Sequence, residues 1–219
     1  NSDDAFSFFM NGGNLRISNS NALSASGPRL VQIDANTVEV PLTGSFNGIF
    51  IRAEGGNNTA TISADLNLSG QGQILAFFDT DVTIADNGNL QLAGLNVNNG
   101  FIDLNGAIIN IGVSGIVGNS GQMGTSGASV QGNATINGTL SMNGLTTIAP
   151  GNSPNGSGIG VGRITTGDLQ MNDSGFALQI YGTEAATDYD QISVEGTVTL
   201  NDASLTLIGS YPSEEGDEI

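Results

Sequence analysis

The chain of 219 residues has no cysteine, no histidine and no tryptophan, and its four basic residues are all arginines, Arg16, Arg29, Arg52 and Arg163. Each absence removes a class of chemistry. Without cysteine there are no disulfides, no thiolate nucleophile and few routes to a structural zinc site. Without histidine the commonest general base and the commonest metal ligand are both missing. Without lysine the phosphate-gripping Gly-x-x-x-x-Gly-Lys loop is excluded. Aromatic residues are 5% and charged residues 11% of the chain. No apolar run reaches the ~18 residues that would read as a membrane-spanning helix, so membrane insertion by this segment is not expected.

The charge that is present has one sign. Twenty-one acidic residues against four basic ones give a net charge of -17. Such a chain repels phosphate backbones and anionic lipid surfaces, which argues against nucleic-acid binding. The charge, and the few tryptic sites of a lysine-free chain, suit life outside the cell. The opening "NSDDAF" has no basic n-region of a signal peptide, and "YPSEEGDEI" stops abruptly after a run of strands. The whole reads as a piece of a longer protein with its export signals elsewhere.

Glycine is abundant, 33 residues, about twice the usual ~7% share. Helical periodicity is nearly absent. Period-two alternation over three to five residues recurs instead: Leu66–Leu68, Val82–Ile84, Leu90–Leu92, Leu95–Val97, Ile109–Ile111, Thr139–Met142, Ala177–Ile180, Ile192–Val194, Thr197–Leu200 and Ser204–Leu207. Asn-Gly turn signals begin at 11, 47, 87, 99, 105, 137, 143 and 155. Between 66 and 116 the strands follow one another too closely for a sandwich, whose turn signals come every ~8–12 residues. A chain that bends after each short strand and stacks coil upon coil fits better.

A repeat supports stacking. "GTLSMN" (138–143), "GDLQMN" (167–172) and "GTVTLN" (196–201) share Gly-x-apolar-x-apolar-Asn and begin 29 residues apart, and "GNLQLA" (88–93) resembles them. At the same offset Phe176 aligns with Leu205 and Leu178 with Leu207. One coil cannot bury its inward face, whereas stacked coils bury a continuous aliphatic column. The expected fold class is therefore all-β, a right-handed parallel β-helix or solenoid. Leu140, Met142, Leu169, Met171, Val198, Leu200, Leu205 and Leu207 are expected to point inward in columns, with asparagines stacked as amide ladders at the turns. The organisation reads as irregular N-terminal coils over 1–60, central coils over 61–149 and regular repeat coils over 150–219. The aromatic spot "FSFF" (6–9) is read as core. The alternative is a glycine-rich β-sandwich with accidental regularity.

The segment "IAPGNSP" (148–154) stands between two such coils. Pro150 and Pro154 fix φ and remove two backbone donors, and Gly151 and Asn152 tolerate a sharp reversal. It is read as a corner rather than a functional loop. With this turn, the order Gly167–Leu169, Asp188–Asp190 and Val194–Leu200 resembles the passenger-associated repeat of autotransporter and related bacterial surface proteins, over about 80 residues. "LRISNSNAL" (15–23) is similar to the degenerate repeats of the same proteins. The longer stretch "NGSGIGVGR" (155–163) departs from the pattern, and the outer-membrane barrel of such proteins is not in this sequence. The resemblance implies an exported stalk, displayed at or released from a bacterial surface, with Asp188–Asp190 as a turn tying strand to strand. It implies no particular activity.

Two acidic pairs are the only residues arranged for catalysis. Asp79 with Asp81, and Asp188 with Asp190, lie two apart, and paired carboxylates can cleave glycosidic bonds. No basic residue or third acid is set beside them in the sequence, so they are read as turn acids. The oxygen-rich stretch "DTDVTIADNG" (79–88) lacks the ligand order of a calcium loop, and "GIGVG" (158–162) lacks the strand–helix context of a dinucleotide site. Catalytic, cofactor and metal residues are therefore read as none. The expected role is a non-catalytic structural or adhesive segment, whose partners would be glycans or proteins of a host or neighbouring cell. The alternatives are a carbohydrate-active β-helix enzyme and a self-assembling fibre or S-layer unit.

Overall fold

The computed structural model describes residues 3–23, 30–42, 48–52, 56–63, 65–68, 74–78, 80–85, 89–91, 94–98, 102–103, 107–110, 116–120, 129–151 and 160–212. Every regular element among them is a β-strand, so the all-β expectation holds. The residues 24–29, 43–47, 152–159 and 213–219, with Pro154, Arg29 and Asp79, lie outside that description.

The chain opens with an antiparallel meander: β1 (Ala5–Asn11), β2 (Asn14–Asn19), β3 (Val31–Asp34) and β4 (Thr37–Pro41). β1 pairs with β2, β2 with β4, and β4 with β3, all antiparallel. The expectation of coils from the first residue does not extend to this segment. The reason is local: Asn11 faces Asn14 across the two-residue turn Gly12-Gly13, and a connection that short can join only antiparallel neighbours.

From Gly48 onward every pairing between the described strands is parallel, with one isolated antiparallel bridge, Ile180 with Tyr189. The strands are β5 (Gly48–Arg52), β6 (Asn58–Ile62), β7 (Ile74–Phe78), β8 (Thr80–Ile84), β9 (Asn89–Gln91), β10 (Gly94–Asn98), β11 (Ile102–Asp103), β12 (Ala107–Asn110) and β13 (Ile116–Ser120). They continue with β14 (Ser129–Gly132), β15 (Ala134–Asn143), β16 (Thr147–Pro150), β17 (Arg163–Asn172), β18 (Gly175–Ile180), β19 (Gln191–Val194), β20 (Val198–Asn201) and β21 (Ser204–Gly209). One sheet runs β1-β6-β8-β11-β14-β16-β18-β21, with the meander continuing it beyond β1. A second runs β5-β7-β10-β13-β15-β17, and the long strands β15 and β17 also carry a third line of pairing, from β9 through β12 to β19. Each later pass of the chain thus places one segment in each of three parallel stacks. The last pass is β19, β20 and β21.

The repeat seen in the sequence is the register of these stacks. Leu140 pairs with Leu169 and Leu169 with Val198, while Met142 pairs with Met171 and Met171 with Leu200. Phe176 lies beside Leu205 and Leu178 beside Leu207. Asn172 donates to Asn143 Oδ1 at 3.0 Å, and Asn201 donates to Asn172 Oδ1 at 2.8 Å, each across 29 residues. The glycine of the motif has a steric cause. A Cβ on Gly167 would sit 2.7 Å from the carbonyl oxygen of Gly138, and one on Gly196 would sit 2.8 Å from that of Gly167. Earlier passes keep the parallel pairing at uneven spacing, as in Val82 with Ile102 and Ile102 with Val130.

The core is the aliphatic interior of these stacks. Leu66, Leu68, Leu75, Val82, Ile84, Leu90, Leu95, Ile102, Val130, Ile136, Leu140, Ile148, Ile164 and Met171 are all buried. At the N-terminal end, Phe6, Phe8, Leu15, Ile17, Val38 and Val40 of the meander close over it. Phe8 meets Phe77 edge to face, with ring centroids 5.3 Å apart, a favoured aromatic geometry. Phe6 and Phe8 of the aromatic spot are therefore core, whereas Phe9 is half-buried on the other face of β1. Asp4 holds the meander down: its carboxylate accepts from Asn19 at 2.8 Å and Asn21 at 2.9 Å.

Candidate functional site

Of the two acidic couples, only Asp188 with Asp190 is described in full. Asp79 lies outside the described residues. Asp81 is half-buried on the outer side of β8, between the inward-facing Thr80 and Val82. Asp188 and Asp190 belong to a tight turn after β18 and serve different backbone groups. The Asp188 carboxylate accepts from Glu184 N–H at 3.4 Å, and its carbonyl accepts from Tyr181 N–H at 2.8 Å. Asp190 is buried, and its two carboxylate oxygens accept from Gly162 N–H at 2.9 Å and Gln179 N–H at 2.8 Å. Burial raises its pKa above the usual carboxylate value, and the two N–H donors partly oppose that rise. One carboxylate thus fastens the entry of β17 and the end of β18 to the same turn.

The proline corner has a similarly structural base. Pro150 ends β16 opposite Gly132 and is buried. Gly151 follows at φ +80°, a conformation that favours glycine. A Cβ on Gly151 would overlap the backbone of Gly160 to Gly162, and one on Gly162 would overlap Gly151 and the Asn133 side chain. Gly151 and Gly160 to Gly162 thus meet backbone against backbone. Arg163 N–H donates to Asn133 Oδ1 at 2.8 Å and Gln191 N–H donates to the Gly162 carbonyl at 2.8 Å.

Among the described residues no cluster of three acidic side chains could hold a metal ion. Arg16 is engaged with Glu39 in an ion pair at 2.8 Å within the meander. That contact, with hydrogen bonds from Asn11 and Asn14, holds the Glu39 carboxyl below its usual pKa.

The feature that sequence reasoning missed is at the other end. Val198, Leu200, Leu205 and Leu207 were expected inside the columns, and they do stack in register on Leu169, Met171, Phe176 and Leu178. They are nevertheless 50%, 53%, 59% and 58% exposed, which corrects the expectation of burial. A stack of strands covers its apolar edge only where it has a neighbour on both sides, and among the described residues β19, β20 and β21 have a strand neighbour on one side. With Ile192, Val194 and Asp190 these residues line a cleft of about 570 Å³ between the three last strands. Period-two alternation does not record which strands have a neighbour on each side.

The chain gives no match in comparisons with protein-family models, curated proteins or solved structures. Its geometry therefore carries the functional reading alone. That geometry is a set of stacked parallel strands whose last described members expose apolar side chains.

Proposed function

We propose that this chain is a non-catalytic, structural segment of a bacterial surface-displayed or secreted protein of the autotransporter-passenger type, folded as a right-handed parallel β-helix. The observation that carries the reading is the register itself. Leu140, Leu169 and Val198 form one column, and Asn143, Asn172 and Asn201 form a second. Such columns follow when successive passes superpose, and the connections between parallel strands of one sheet are right-handed in almost all proteins. Asp188 and Asp190 accept backbone N–H groups in a turn. The charge of -17 favours a soluble, exterior setting. Strong binding hot spots favour Trp, Tyr and Arg, and the chain has no Trp, three Tyr and four Arg. Adhesive contact with glycans or proteins of another cell then belongs to a neighbouring domain, and this segment is its spacer.

The absence of native cysteine provides a clean test. Asn143→Cys with Asn172→Cys should form an intramolecular disulfide, because neighbouring strands lie about 4.8 Å apart. Asn143→Cys with Asn201→Cys, two strands apart, should not. The reverse pattern would overturn the coil reading. Incubation with acidic and neutral polysaccharides should release no reducing ends. Release that is lost in Asp81→Ala would establish an enzyme instead.

A further inference from the structure

In an Asn-Gly pair the asparagine carboxamide is open to attack by the next backbone nitrogen, because glycine has no Cβ to hinder the approach. Of the Asn-Gly pairs in this chain, those beginning at Asn11, Asn137 and Asn143 lie within the described residues. The stack holds two of them. Asn137 and Gly138 lie inside β15, where Asn137 is paired with Asn110. At Asn143 both reacting groups are tied to Asn172: Gly144 N–H donates to the Asn172 carbonyl at 3.0 Å, and Asn143 Oδ1 accepts from Asn172 Nδ2 at 3.0 Å. Asn11 differs. It is exposed at the end of β1, and Gly12 follows at φ +58° with open space where a Cβ would be. Among the described residues no backbone hydrogen bond engages the Gly12 N–H. The Asn11 carboxamide is held by one exposed hydrogen bond, from Nδ2 to Glu39 Oε2 at 3.1 Å.

We propose that Asn11-Gly12 is a self-modification site, at which loss of the Asn11 amide loosens the N-terminal meander with time. The Gly12 nitrogen attacks Asn11 Cγ and forms a new N–Cγ bond. The Cγ–Nδ2 bond breaks, and ammonia leaves with the proton from Gly12. Water then opens the cyclic imide at either carbonyl and leaves aspartate or isoaspartate. The position gives the event its effect. The Glu39 carboxylate is surrounded by donors: Asn11 Nδ2, Asn14 Nδ2 at 2.7 Å, and Arg16 through two nitrogens at 3.2 and 2.8 Å. Modification replaces the first donor by a second carboxylate, and like charges this close repel. Isoaspartate also adds a carbon to the main chain beside the two-residue turn that sets the pairing of β1 with β2. These strands carry Phe6, Phe8, Leu15 and Ile17 of the core. The change therefore weakens the meander and leaves the 29-residue columns intact.

The test incubates the full chain at mildly alkaline pH, native and in urea, and follows Asn11 and Asn143 by peptide mapping with mass spectrometry. In the native protein Asn11 should be modified about tenfold faster than Asn143 or more, because the stack must open locally before Asn143 can react. In urea, where neither is held, the two should react at similar rates. Gly12→Ala should slow the reaction at Asn11 severalfold and leave Asn143 unchanged. The added Cβ meets open space, and Ala186 already occupies φ +61° in this chain. Asn11→Asp, one of the two products, should lower the urea midpoint, and the loss should shrink in the Glu39→Gln background. Equal native rates at Asn11 and Asn143 would overturn the site. So would an Asn11 that stays intact while the chain in urea is modified. No loss in Asn11→Asp, or the same loss with and without Glu39→Gln, would overturn the effect on the meander. If Gly12→Ala fails to fold, the comparison of native protein with urea decides the site without it.

Discussion

At the scale of single residues, the same residue type has opposite weight in two strands of the same repeat. Leu169 is 2% exposed and Leu205 is 59% exposed, although both obey the same alternation. Leu169→Asp places an unpaired charge among Leu140, Met171 and Val198 and should cost about 3 kcal/mol or more. Leu205→Asp should cost less than about 1 kcal/mol. Urea midpoints of the two variants check this, and equal losses would show that the last coil is covered. The alternation was legible, but the exposure was not, because burial depends on a neighbour that period-two patterning does not count. Carboxylates split in the same way. Asp190 has a raised folded pKa, so its stabilising effect is full below its ordinary value and is lost as pH rises through the raised one. Glu39 has a lowered folded pKa, so its effect is present above the ordinary value and is lost as pH falls through the lowered one. The advantage of the parent over Asp190→Asn should therefore shrink as pH rises from about 4. The advantage over Glu39→Gln should shrink as pH falls. Denaturation midpoints between pH 3 and 7 read both slopes, and parallel curves for parent and variants would contradict the assignment.

At the scale of elements, the motif Gly-x-apolar-x-apolar-Asn divides into a corner, a core contact and a ladder rung. The corner is the most sterically constrained of the three. Gly167→Ala adds a Cβ that would lie 2.7 Å from the Gly138 carbonyl oxygen, so the corner between the two halves of β17 must shift. A loss of about 2 kcal/mol is expected, measurable by urea denaturation. The rung is worth less. Asn172 donates once and accepts once, and Asn172→Ala should cost about 1 kcal/mol, since net hydrogen bonds contribute ~0.5–1.5 kcal/mol each. If Asn172→Ala proved the costlier of the two, the ladder rather than the glycine corner would set the register. These elements were legible because three near-identical hexapeptides carry them. The N-terminal strands were legible as strands but their antiparallel pairing was not, because alternation is the same in parallel and antiparallel strands. What separates the cases is connection length. The two-residue turns at Gly12-Gly13 and Ala35-Asn36 permit only antiparallel neighbours, and the sequence "MNGGNL" holds that information more firmly than the strands beside it.

At the scale of the whole molecule, the two ends of the stack are unlike. One is closed by a meander that packs Phe8 against Phe77 and fastens itself with Asp4, Asn19 and the Arg16–Glu39 pair. The other is an open set of apolar strands. Between them the aliphatic column is narrow, and few cations are available to offset the charge around it. The Arg16–Glu39 ion pair stands against a net charge of -17 for the chain, which has four basic residues in all. Self-repulsion at this level destabilises a compact state. The Debye length falls from about 30 Å at 0.01 M to about 8 Å at 0.15 M, so added salt screens most of that repulsion, while four cations limit the attraction it can weaken. The thermal midpoint should therefore rise with sodium chloride over this range, by several degrees if the screened repulsion is worth about 1–2 kcal/mol. Replacing Arg16 and Glu39 together by Met and Leu should leave the rise intact, because repulsion among dispersed acids causes it. A midpoint that fell with salt would instead show that attractive charge contacts, not the hydrophobic column, dominate the stability of the stack.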